Sequence, residues 1–149
     1  MTNNFESFVE RLQSQIFIEA KKVYGELGFD RWRSPKFMGK IKDADGYARI
    51  TGGCGDTMEI FLKFDDKSVT KASYITDGCV SSRICGSFAA ELAIGKTPED
   101  LSDITGEMIL HKIGSFPDDE KHCAFLAARA IQEALNDYMI RVVHKNKKK

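Results

Sequence analysis

The sequence predicts an α+β domain, in which a three-stranded antiparallel sheet is packed on one face by helices and long helices stand at both ends. Three observations carry this. Apolar residues recur with a period near 3.6 from Phe5 to Leu27 and again after Pro117. Between them, residues 46–77 hold short runs that alternate apolar and polar, with turn residues between the runs. Residues 81–114 are punctuated by helix start and stop signals.

In chain order, the first helix is carried by Phe5, Phe8, Val9, Leu12, Ile16, Ala20, Val23, Tyr24 and Leu27, with Gly28 as its stop. This stripe, and Trp32 after it, read as core. A turn-rich connection with Trp32, Pro35 and Gly39 follows. Tyr47 to Thr51 reads as a short strand. Thr57 to Phe64 alternates strictly, with Met58, Ile60, Leu62 and Phe64 on one face. Val69 to Thr76 returns after the Asp65-Asp66-Lys67 turn.

Ser81 or Ser82 is placed to cap a helix that runs to about Ile94 and closes at Gly95. Thr97-Pro98-Glu99-Asp100 joins a cap residue, a proline at the first helical position and acids at the positive helix end. Thr105 or Asp103 opens another short helix, which Gly114 ends. Pro117-Asp118 starts the last long helix, whose stripe includes Phe125, Leu126, Ala130, Ile131, Leu135, Tyr138 and Met139.

The 149 residues fit a single domain, 1–149, around one core. Its expected parts are an N-terminal helix at 1–28, the sheet at 46–77, a helical part at 81–144 and a basic tail at 145–149. Hydrophobic residues make up 42% and charged residues 30%, an ordinary globular balance. Lys plus Arg and Asp plus Glu each number 22, so no overall field favours nucleic acid or a membrane surface. Lys145, Lys147, Lys148 and Lys149 gather at the C-terminus and read as a frayed tail. The N-terminus lacks a basic region followed by an apolar run, and the expected compartment is the cytoplasm. Thiols stay reduced there, and scattered cysteines more often mean metal or redox chemistry than disulfides.

Three cysteine motifs occupy loops or element ends: Cys54-Gly55-Asp56, Gly78-Cys79 and His122-Cys123. Cys54 lies in a glycine-rich loop between two strands, where positive φ and close backbone approach to a ligand are permitted. Cys79 follows the third strand, just ahead of a helix cap. Cys123 falls early in the last helix, beside Lys121 and His122. Helix N-termini favour thiolate over thiol and would suit an anionic cluster of iron, sulfide and thiolates. Cys85 shares a helical stripe with Phe88, Ala89 and Leu92 and reads as core packing, against an auxiliary thiol or a redox partner of Cys79. Asp56 as a loop cap and His122 as a surface residue remain the plain alternatives. His111 and His144 fall on exposed helix positions.

These motifs, in this order, resemble the U-type iron–sulfur cluster assembly scaffold family, the IscU and NifU N-terminal domain proteins. The resemblance covers roughly residues 24–138. It also includes the Ser34-Pro35-Lys36 to Gly39 stretch and Gly95-Lys96-Thr97 after a small-residue helix.

The resemblance implies a non-enzymatic platform on which a transient [2Fe–2S] cluster is built and passed to apo-proteins. Sulfur would come as persulfide from a cysteine desulfurase. Cys54, Cys79 and Cys123 carry over as thiolate ligands. Asp56 carries over as a nearby carboxylate, a hard donor that weakens the site and helps release. His122 is an alternative fourth ligand, or part of an iron or zinc site in the cluster-free protein. Cys123 is the expected first persulfide acceptor, because a helix-start thiolate in a mobile loop reaches a partner's active site. Family members typically carry Leu-Pro-Pro-Val-Lys before the His-Cys pair, read by an Hsp70-type chaperone. Here Phe116-Pro117-Asp118-Asp119-Glu120 stands instead, which argues against that partner. Set against the family, the chain is expected to lack the insertion of the zinc-dependent SufU branch and the additional domains of full-length NifU.

Three rival functions fare worse. A thiol enzyme would need a base for Cys123, and His122 points about 100° away on a helix. The cysteine spacings are too wide for zinc knuckles or ribbons. The glycine-rich loop lacks the Lys-Ser or Lys-Thr of a P-loop. The closest alternative is a zinc-binding sulfur acceptor that uses the same Cys/Asp/His site without stable cluster assembly.

Overall fold

A computed structural model of the chain describes residues 4–147. The first helix, α1, runs from Asn4 to Arg33 and breaks at Gly25, where φ is 73° and ψ is 177°. Only glycine adopts that backbone without steric cost. Gly28, expected as the stop, is instead buried inside the second segment, close to Tyr24, Ile113 and Ile84. Trp32 therefore belongs to the helix rather than to the connection after it. This second segment is pinned to the domain by Arg31. Its guanidinium lies 4.0 Å above the Phe88 ring, bonds Ser87 Oγ at 3.0 Å and pairs with Glu91 at 3.1 Å.

Of the apolar stripe ahead of the break, Tyr24 packs against the core, while the stripe before it stays largely uncovered. Phe8, Leu12 and Ile16 are about half exposed, at 56%, 48% and 49%. A helical period shows that one face is apolar, but it does not supply an element to cover that face. Phe17, on another side of the helix, packs on the second segment of α1. It meets Phe29 and Trp32 edge-on at 5.9 and 6.3 Å.

The sheet follows the expected order and direction. Strands β1 (Gly46–Thr51), β2 (Thr57–Asp65) and β3 (Ser68–Thr76) pair antiparallel in the order β1-β2-β3. Met58, Ile60 and Leu62 are fully buried on the face read from the alternation, with Phe64 beside them. Each such side chain contributes about 1.5–3 kcal/mol through burial. On the opposite face Phe61 is covered by the Tyr47 ring, 4.9 Å away.

Helix α2 spans Val80–Ala93, α3 Pro98–Ser102, α4 Gly106–Ile113 and α5 His122–Lys147. Helix α2 packs on β3, while α5 crosses β1 and β2 on the same face. Thr97 and Thr105 cap α3 and α4 by accepting from Asp100 N and Met108 N, as expected. The cap of α2 is Cys79, not Ser81 or Ser82, which lie buried within the helix. Pro117-Asp118 starts only a 3-10 turn, Asp118–Glu120, and the α-helix proper begins at His122. At the far end Lys145 and Lys147 are helical rather than part of a separate tail, and Lys148 and Lys149 lie outside the described residues. No helix among the described residues is long and apolar enough to cross a membrane.

Candidate metal centre

The β1–β2 connection is a tight loop. Gly55 N donates to Gly52 O at 3.0 Å and Gly52 N to Asp56 O at 2.9 Å, with Gly55 at a φ of 92°. The loop delivers Asp56 to the start of β2. At the end of β3, Thr76 Oγ1 donates to Thr57 O at 2.6 Å, and Asp77 accepts from Thr57 N at 2.8 Å. These bonds hold the β3–α2 junction against the start of β2, so Gly78-Cys79 arrives beside Asp56. Gly78 leaves no room for a side chain. A Cβ there would lie 2.6 Å from Ser82 Oγ and 2.7 Å from Asp56 Oδ2.

Cys123, one residue into α5, completes a cluster. A carboxylate oxygen of Asp56 and the sulfurs of Cys79 and Cys123 all lie within 4.8 Å of one another. Cys79 is exposed, Asp56 half-buried and Cys123 buried. Two soft thiolates and a carboxylate suit iron–sulfur cargo or zinc rather than calcium or magnesium. All four cysteines are free thiols.

Cys54 and His122 lie outside this cluster. Cys54 Sγ turns back over Gly52, 3.7 Å from where a Cβ at that glycine would sit. Exposed, it shares a groove of about 330 Å³ with His122, Phe125 and Arg129. Three of the five residues singled out from sequence are thus brought together, and two line an adjoining groove. Cys85 is fully buried among core residues, and burial pushes its thiol well above the usual range.

The expectation that a helix start favours thiolate over thiol at Cys123 is opposed by its burial. Its side chain is fully buried. Burial above all pushes its thiol up to about 11, with the neighbouring Cys79, Asp56 and Cys54 acting in the same direction. A hydrogen bond with Ser82 only partly offsets this. Desolvation is the largest influence on this thiol.

Ser82, considered from sequence only as a cap, sits inside the centre. Its hydroxyl donates to Asp56 Oδ2 at 2.7 Å and lies 3.4 Å from Cys123 Sγ. One turn of α2 places it there, three residues beyond Cys79, so a hydroxyl at that spacing was the available signal. Tyr24 was also missed. Its hydroxyl lies 3.0 Å from Ser81 Oγ and donates to Glu120 Oε2 at 3.3 Å, while its ring packs on Phe116. The last residue before the break in α1 therefore braces both approaches to the cysteines, the start of α2 and the turn before α5.

The chain matches the NifU-like N terminal domain family over residues 23–145. It is 36% identical over 117 residues to the iron-sulfur cluster assembly scaffold protein IscU 1 of Archaeoglobus fulgidus, covering 78% of this chain and 76% of that one. It is 31% identical over 121 residues to the iron-sulfur cluster assembly scaffold protein IscU of Haemophilus influenzae, covering 78% and 95%. The fold is similar to the crystal structure of a nitrogen-fixing NifU-like protein (N-terminal) from Brucella abortus. The TM-score is 0.63 at 17% identity, covering 82% of this chain and 98% of that chain.

Proposed function

Since this chain belongs to the NifU-like N terminal domain family, we propose that it is a scaffold on which iron–sulfur clusters are assembled and from which they are released. The observation that carries the proposal is the convergence of Asp56, Cys79 and Cys123 donor atoms within 4.8 Å. The cluster is cargo here, a [2Fe–2S] unit held by Cys54, Cys79 and Cys123 with Asp56 as the weak fourth donor. Glycines 53 and 55 flank Cys54 and let its loop swing that cysteine inward to join the other three donors. His122, exposed beside Cys54, is the alternative ligand for iron or zinc before the cluster forms.

Sulfur arrives from the persulfide of a cysteine desulfurase. The Cys123 thiolate attacks the outer sulfur, the partner's S–S bond breaks, and its cysteine leaves as a thiolate. Cys123 then carries the persulfide, and an external donor of two electrons reduces that sulfur to sulfide. Because Cys123 is buried and protonated at neutral pH, uncovering it precedes transfer. Ser82 links its thiol to Asp56 and offers the proton a route to a carboxylate. Recipient apo-proteins take the finished cluster, and the acidic Asp118-Asp119-Glu120 turn leaves no Leu-Pro-Pro-Val-Lys site for an Hsp70-type chaperone.

The test is anaerobic incubation with iron, cysteine and a desulfurase, followed by visible absorption and acid-labile sulfide analysis. Cluster absorption in the parent protein and its loss in Cys54→Ser, Cys79→Ser and Cys123→Ser is the expected result. Tight zinc with no uptake of sulfide and iron would replace the proposal by a zinc-binding sulfur acceptor using the same residues.

A further inference from the structure

Residues 4–24 of α1 stand at the edge of the domain, and the apolar face they carry is large. Phe8, Val9, Leu12, Ile16 and Val23 are 56%, 42%, 48%, 49% and 43% exposed. At about 100° per residue they share one side of the helix with Ala20. We propose that this face is the interface of a homodimer, in which α1 packs antiparallel against α1 of a second copy.

Three features select a second copy. The first is the repeat. Val9 and Ala20, and Leu12 and Val23, are each one eleven-residue repeat apart, a period of about 3.67 that keeps the stripe on one side of a nearly straight helix. Two such helices stay in contact along their whole length.

The second is charge. When two helices pack antiparallel about a twofold axis, each flank of the apolar stripe faces the same flank of the other copy. Arg11 and Glu19 lie on one flank, four residues either side of Gln15. Pairing centred on Gln15 sets Arg11 of each copy against Glu19 of the other, and does so twice. Within one chain, neither has an ion-pair partner among the described residues. The same register places Leu12 between Ile16 and Ala20 of the second copy, large beside small. Opposed helix dipoles add to the preference for the antiparallel arrangement.

The third is area. A stripe of this length on two helices removes about 1,000 Å² from water, the lower bound for a specific interface. A self-complementary patch of that size closes as a twofold dimer and leaves nothing to propagate.

The full chain, reduced and metal-free, tests this by sedimentation velocity and light scattering across a concentration series. The parent protein is expected to be a dimer and Leu12→Glu a monomer, with unchanged circular dichroism and unchanged cluster uptake. Arg11→Glu should raise the dissociation constant about tenfold, through two lost pairs and two new repulsions. Arg11→Glu combined with Glu19→Arg should restore it. A parent protein that stays monomeric at high concentration overturns the proposal, even if the helix binds lipid vesicles or another protein. So does a dimer indifferent to Leu12→Glu, or a double reversal that fails to rescue.

Discussion

The Ser82 hydroxyl donates to Asp56 Oδ2 at 2.7 Å from within the first turn of α2, the helix that Cys79 caps. Ser82 Oγ also lies 3.4 Å from Cys123 Sγ, so a single side chain touches two of the three clustered donors. A hydrogen bond to an ionised carboxylate in a partly buried setting stabilises by about 1.5–3 kcal/mol. Ser82→Ala is expected to lower the stability of the metal-free protein by an amount in that range. Urea unfolding with an unchanged m-value checks it, and an unchanged midpoint would show the bond to be energetically empty.

Asp56→Ala removes the hard donor and leaves three thiolates as candidate ligands. Cluster assembled on this variant should pass to an apo-ferredoxin several-fold more slowly than from the parent, because sulfur ligands hold iron more tightly than a carboxylate does. Transfer followed by circular dichroism gives the rate. Equal rates would strip Asp56 of its role in release.

Cys123 makes stability depend on pH at the alkaline end. Its folded thiol titrates near 11, above the ordinary value of 9.0, so the unfolded chain ionises first as pH rises. The associated stability is complete below about pH 9 and is lost between about pH 9 and 11, up to about 2–3 kcal/mol. Urea midpoints measured under reductant across this window should fall for the parent and fall less for Cys123→Ala. Iodoacetamide should likewise label Cys54 and Cys79 before Cys123.

Tyr24→Phe keeps the ring against Phe116 and deletes the hydroxyl that reaches Ser81 and Glu120. The expected cost is about 1–2 kcal/mol, since Ser81 is buried and loses its partner. The variant should also alkylate faster at Cys123, as the turn before α5 loosens. Thermal unfolding and peptide-level mass spectrometry report the two effects separately.

Much of this architecture was legible because its signals are local. The Met58, Ile60, Leu62 and Phe64 alternation located β2, and Thr97 and Thr105 announced their helices by cap chemistry. Element-end placement predicted convergence of Cys54, Cys79 and Cys123, and the family resemblance added Asp56. The structure gathers Asp56, Cys79 and Cys123 and leaves Cys54 in the adjoining groove. What escaped depends on surroundings. Gly25 and Gly28 look equivalent in sequence, yet only the positive φ at Gly25 breaks the helix. The α1 stripe is periodic whether or not anything covers it. Cys123 shares its helix-start position with reactive thiols elsewhere, and its burial under neighbouring elements reverses the outcome. Ser82 mattered through a contact with Asp56, 26 residues away in sequence.

The three clustered donors come from three separate connections: the loop between β1 and β2, the junction of β3 with α2, and the start of α5. Any cargo they share is therefore a staple across distant parts of the chain. Binding it closes two long loops and draws its stabilisation from the unfolded ensemble as well as from the bonds themselves. The loaded protein should resist proteolysis at this end of the sheet, and unloading should soften the same end. A recipient or protease that samples local opening would then sense whether the scaffold is full without touching the metal.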